Sequence, residues 1–135
     1  MLINGRPRLA CNTQVAELES DVIAVGPLPN FQIIKDLVPD LAPMFETHRE
    51  LIPYLVREDV AEQERPTGEY WQSPAELERY LQFSYCIKCA CCMAACPTLA
   101  TGPVYSGPMP LGQAHRYNTD SRDGGFTARV QILSR

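Results

Sequence analysis

In the first thirty residues of the chain the apolar positions come in short runs, too short for a helix. Leu2 and Ile3 form one extended piece, Asn4-Gly5 is a hairpin signal, and Arg8 to Ala10 forms a second piece leading into Cys11. Val22 to Val25 is the one other strand-like run in this region, and a hairpin needs more sheet than that. The beginning is therefore expected to be the tail of a β-domain whose main part is outside this chain, with Met1 an internal methionine. From Asn30 the period becomes helical. Phe31, Ile34, Leu37 and Val38 share one face, Pro39 interrupts, and Leu41, Met44, Phe45 and His48 resume it. The spacing predicts a helix pair across Phe31 to Leu51, broken at Pro39-Asp40 and ended by Pro53.

Arg57 to Trp71 is charged, contains Pro66 and Gly68, and has no period, so it reads as a surface connector. Ser73-Pro74 with Glu76 predicts a helix start, with serine as N-cap, proline in the first helical position and glutamate positioned to reach back. That helix is expected from Pro74 to Phe83. Thr101 to Pro110, with Gly102, Pro103, Gly107 and Pro108, is expected to be an irregular loop, and Leu111 to Asn118 a helix. Asp120 to Gly125 reads as a turn and Phe126 to Leu133 as a last helix without a stop signal.

Composition refines this picture. In 135 residues, 45% apolar content permits a core, while twelve prolines and eight glycines favour compact helices joined by many turns. A net charge of -4 supplies no basic face for phosphates, which argues against nucleic acid as a partner. No apolar run approaches the roughly 18 residues of a membrane span, and MLINGRPRLAC lacks a signal-peptide core.

The cysteines carry the chemistry. Five of six lie in CIKCACCMAACP, where Cys86, Cys89, Cys92 and Cys96 spell C-x2-C-x2-C-x3-C followed by Pro97. This is the ligand run of bacterial-type iron-sulfur proteins, in which the fourth cysteine serves a neighbouring cluster. So dense a group does not suit separate disulfide staples and points to metal ligation in a reducing compartment. Structural zinc is the competing reading, but zinc ribbons place two C-x2-C knuckles further apart. Cys96, four residues after Cys92, is expected one helical step onward. Cys91 breaks the spacing and reads as a small buried thiol. Cys11 and His48 read as packed residues, His115 as packed or in contact with a partner. Glu58, Asp59, Glu62 and Glu64 read as a solvated run. No nucleophile with a positioned base and no phosphate loop is readable.

LINGRPRLAC, GPLPNFQIIKDLVPD, SYCIKCACCMAACP and AHRYNTDSRD, in this order, resemble segments of the iron-sulfur subunit of succinate dehydrogenase and fumarate reductase, with a flavour nearer to fumarate reductases. The resemblance implies a mainly α fold: an all-helical two-cluster ferredoxin-like domain (28-135) preceded by the last hairpin of a plant-type 2Fe-2S β-grasp domain (1-27). It implies that Cys86, Cys89 and Cys92 bind a 4Fe-4S cluster, Cys96 a 3Fe-4S cluster and Cys11 a 2Fe-2S cluster, with Cys91 not a ligand. It places Pro97 and Thr98 near a quinone. The implied partners are a flavoprotein subunit and membrane anchor subunits, at the cytoplasmic face of the inner or plasma membrane, or the matrix side in a mitochondrion. The family's other 2Fe-2S cysteines and its second cysteine motif have no counterpart in these residues, so an internal fragment that completes no cluster alone is the expectation. Two other readings use the same run: an iron-sulfur subunit of glycolate or glycerol 3-phosphate oxidation, and a zinc-stabilised interaction module.

Overall fold

The computed structural model describes residues 1-102 and 104-134. Pro103, within the expected loop, and Arg135, the end of the expected second domain, lie outside the described residues. In chain order the elements are β1 (Leu2–Ile3), β2 (Arg6–Pro7), β3 (Val25–Gly26), β4 (Ile33–Lys35), β5 (Val38–Pro39), α1 (Ala42–Glu50), α2 (Val60–Glu64), α3 (Pro74–Glu78), α4 (Leu81–Ser84), α5 (Cys91–Ala94), α6 (Pro97–Thr101), α7 (Pro108–Thr119) and α8 (Phe126–Leu133). Helices dominate and the strands are very short. The chain divides into two compact units, one formed by Met1–Phe45 with Ile87–Met109, the other by Glu46–Cys86 with Pro110–Arg135.

In the first unit, Asn4 (φ 47°) and Gly5 (φ 75°) both take the left-handed conformation that a two-residue hairpin turn requires. The turn sends the chain straight back, pairing Ile3 with Arg6 and Leu2 with Pro7. The returning strand is therefore Arg6–Pro7 and not Arg8 to Ala10, and Ala10–Asn12 curls into a 3-10 turn. β3, at the end of the expected Val22 to Val25 run, pairs antiparallel with the other edge of β1. Ile3 on the central strand is buried.

The first half of the expected helix pair is a hairpin instead. β4 and β5 pair around Asp36, whose φ of 49° ends any helix. Consecutive Ile33 and Ile34 are β-branched and favour extended backbone. The helix-like spacing of Ile34, Leu37 and Val38 does not mark a buried face, since all three are exposed. Asp40 then accepts the Ala42 N–H at 2.9 Å and opens α1, the second expected helix, which buries Met44.

In the second unit, the supposed connector contains α2 and folds on itself. Arg57 pairs with Asp59 and lies 3.6 Å over the Tyr70 ring. Glu62 accepts hydrogen bonds from the Thr67 N–H at 2.6 Å and its hydroxyl at 2.9 Å. The capping box is present: Ser73 Oγ accepts from Glu76 N–H, and Glu76 Oε2 accepts from Ser73 N–H at 2.9 Å. The expected single helix to Phe83 is split, because Tyr80 (φ -130°) leaves the helix to bury its ring and donate to Gln72 Oε1 at 2.5 Å. α7 starts at Pro108, three residues before Leu111; prolines cost nothing in a first turn whose N–H groups have no intrahelical partner. The turn after it is built around Asp120, whose side chain is fully buried and takes hydrogen bonds from Arg122 Nε at 2.9 Å and Gln72 Nε2 at 3.1 Å.

Candidate metal centre

The residues between the cysteines shape the loop before any ligand is considered. Lys88 (φ 56°) and Ala90 (φ 63°) stand on either side of Cys89 in the left-handed region, which costs a non-glycine residue about 1–2 kcal/mol. Ala90 is also buried, so its packing holds it there. Such strain persists where the surroundings over-determine the backbone and clusters at functional sites. Ala90 then opens α5, with Ala94 N–H to Ala90 O at 2.9 Å and Ala95 N–H to Cys91 O at 3.0 Å.

Ala95 keeps helical backbone and the Cys96 N–H donates to Met93 O at 3.3 Å, so Cys96 stands about one helical step beyond Cys92. α5 stops at Ala94, and Cys96 is extended (φ -81°, ψ 115°) as the residue before α6. Pro97 is the cause: the ring excludes helical backbone from the residue before it, while its own fixed φ suits the first helical position. The backbone thus changes direction at Cys96, between the helical turn that holds Cys91 and Cys92 and the first turn of α6. Pro97 and Thr98 lie exposed on the first turn of α6.

Cys92 is exposed; Cys86, Cys89, Cys91 and Cys96 are half-buried, and no disulfide forms among the six cysteines. Burial, and then the neighbouring Cys89 thiol, push the Cys91 thiol up. Cys11 sits exposed in the 3-10 turn after β2 and not in a packed position. Its flanking residues Leu9 and Asn12 share an open cleft of about 360 Å³ with Cys89 and Cys91.

Among the described residues no three His, Cys, Asp or Glu side chains converge closely enough to hold a single metal ion. A multi-iron cluster takes one cysteine on each of several irons. The donor set fits such a cluster in kind: four thiols at iron-sulfur spacing, accessible and outside any disulfide. His115 is exposed, edge-on to the Phe83 ring at 4.7 Å and beside the Thr119 hydroxyl.

Sequence reading missed two parts of this region. Asn30 donates its side-chain amide to the Met93, Ala94 and Cys96 carbonyls. Gly107 (φ 92°) passes so close to buried Met93 that a Cβ there would lie 2.6 Å from its sulfur. Both depend on pairings more than ten residues apart, for which no local pattern gives a signal.

Residues 1–46 match the family model of a 2Fe-2S iron-sulfur cluster binding domain. The chain is 42% identical over 134 residues to the fumarate reductase iron-sulfur subunit of Mycobacterium tuberculosis (strain CDC 1551 / Oshkosh), covering 99% of this chain and 53% of that protein. It is 37% identical over 142 residues to the fumarate reductase iron-sulfur subunit of Haemophilus influenzae, covering 99% and 55%. It is 40% identical over 134 residues to the succinate dehydrogenase iron-sulfur subunit of Coxiella burnetii, covering 98% and 55%. The chain spans about half the length of the curated relatives it matches. Over that half, it is similar to iron-sulfur subunits of fumarate reductase and succinate dehydrogenase.

Proposed function

We propose that this chain carries electrons through iron-sulfur clusters, as part of the iron-sulfur subunit of a succinate dehydrogenase or fumarate reductase. Cys86, Cys89 and Cys92 supply thiolates to a 4Fe-4S cluster, Cys96 to a 3Fe-4S cluster and Cys11 to a 2Fe-2S cluster. The carrying observation is the four-cysteine run with its strained loop, in a chain alike along almost all its length to proteins named for this role. Bound clusters would supply one-electron transfer at potentials set by cluster type, hydrogen bonds to sulfur and exposure.

The chain's own residues do the rest. The left-handed turns at Lys88 and Ala90 aim the Cys89 thiol, and Cys96, a helical step beyond Cys92 at the point where Pro97 turns the chain away, serves a different cluster. Residues 1-27 close the 2Fe-2S domain, and residues from 28 onward begin the helical one. Electrons enter from a flavoprotein subunit and leave to quinone at membrane anchor subunits, with Pro97 and Thr98 near the quinone, at the cytoplasmic face of the membrane. No helix among the described residues is long and apolar enough to cross a membrane.

Disrupting the gene in its host and assaying membranes for succinate oxidation and fumarate reduction with quinones tests this reading. Loss of one activity, restored by the intact gene and not by a Cys89→Ser copy, is expected; unchanged activities would overturn it.

A further inference from the structure

α5 is a single turn, far too short to persist without outside support. The carbonyls at the end of a helix have no partner within it. Here that partner comes from 63 to 66 positions earlier in the chain. Asn30 Nδ2 donates to Met93 O at 3.0 Å, Ala94 O at 3.3 Å and Cys96 O at 3.1 Å. An amide nitrogen carries two hydrogens, so three acceptors require sharing, and the three carbonyls are gathered around one point.

Position 30 makes two demands at once. Its backbone is left-handed (φ 66°), which asparagine tolerates better than most residues, and its side chain must donate. The held stretch is also fixed through its side chain, because Met93 is buried with its thioether against the Gly107 backbone. The peptide units that set the spacing between Cys92 and Cys96 are therefore clamped by their carbonyls and by their one large side chain.

We propose that Asn30 is the positioning residue that fixes Cys96 relative to Cys92, and so sets the geometry of the thiolate offered to the second cluster. The proposal rests on the iron-sulfur reading above. Groups that orient ligands without touching the metal commonly change cluster or metal retention by about tenfold or more when removed.

The test uses the full subunit, purified anaerobically with the chains that accompany it. Asn30→Gly keeps the left-handed backbone and deletes only the donor; Asn30→Asp keeps the size and replaces the donor with an acceptor facing three carbonyls. Iron content, the EPR line shape of each cluster, the rate of cluster loss to a chelator and the melting temperature are measured for each. The expected result is an altered line shape and about tenfold faster loss for the cluster that Cys96 serves, with the Cys11 cluster unchanged and Asn30→Asp more severe. Wild-type line shapes and loss rates in both variants would overturn the clamp while leaving the iron-sulfur reading intact. Equal acceleration for every cluster, tracking a lowered melting temperature, would reduce Asn30 to a general structural role and also overturn it. Wild-type protein without iron would overturn the iron-sulfur reading and, with it, this proposal.

Discussion

Arg129 and Asp123 form an ion pair closed to water on both sides, with side chains 0% and 1% exposed and contacts of 2.5 Å and 2.9 Å. The remaining guanidinium N–H groups donate to Ile52 O at 3.0 Å, Tyr54 O at 2.7 Å and Asn118 Oδ1 at 3.2 Å, so all five donors are used. The arginine thus joins the turn after α1, the end of α7 and the turn before α8. Replacing Arg129 with methionine strands a buried carboxylate and is expected to cost about 3–5 kcal/mol, with part recovered in Arg129→Met/Asp123→Asn. Urea unfolding of the full chain measures both; a loss under 1 kcal/mol for the single variant would contradict this role.

That ion pair was not legible in the sequence, and the reason is physical. Phe126 to Leu133 predicts a helix from its pattern, but nothing local says that its arginine turns inward, because the partners lie up to 77 residues away. Signals carried by neighbours fared better. The Asn4-Gly5 turn and the Ser73-Glu76 box each depend on residues a few positions apart. Phe31 to Val38 failed for the converse reason: apolar spacing alone does not say whether a face is buried, and here Asp36 and the two isoleucines favour a hairpin.

Asp120 makes stability depend on pH in acid. Burial alone would raise its carboxyl, but hydrogen bonds from the Arg122 side chain and backbone, together with the Arg122 charge, hold it down at about 2. A carboxyl depressed in the folded state contributes stability that is complete above its unfolded value near 4 and is lost as pH falls towards 2. The loss is expected to be on the order of 2 kcal/mol. Asp120→Asn should be less stable at pH 7 and show a flatter profile between pH 4 and 2; a profile parallel to wild type would contradict the assignment.

Gly107 should not tolerate a side chain. Its φ of 92° disfavours any L residue, and its Cβ would press on buried Met93. Gly107→Ala is expected to lower stability by about 1–2 kcal/mol, read from thermal melting, and an unchanged midpoint would show that the Met93 contact is slack.

Cys91 and Cys89 separate a neighbour from a ligand. Cys91→Ser should keep the iron content of the wild type, since Cys91 breaks the C-x2-C-x2-C-x3-C spacing, whereas Cys89→Ser should lose the cluster it helps to hold. Equal iron loss in the two variants would make Cys91 a ligand and displace the spacing argument.

We propose above that the run from Cys86 to Cys96 serves two iron-sulfur clusters. Its most direct test is metal and sulfide analysis with EPR on the full subunit purified anaerobically with its partners. Iron with acid-labile sulfide, one signal before reduction that Cys96→Ser removes, and another after reduction that Cys89→Ser removes, is the predicted result. Zinc in place of iron, or a single signal lost equally in both variants, would contradict it.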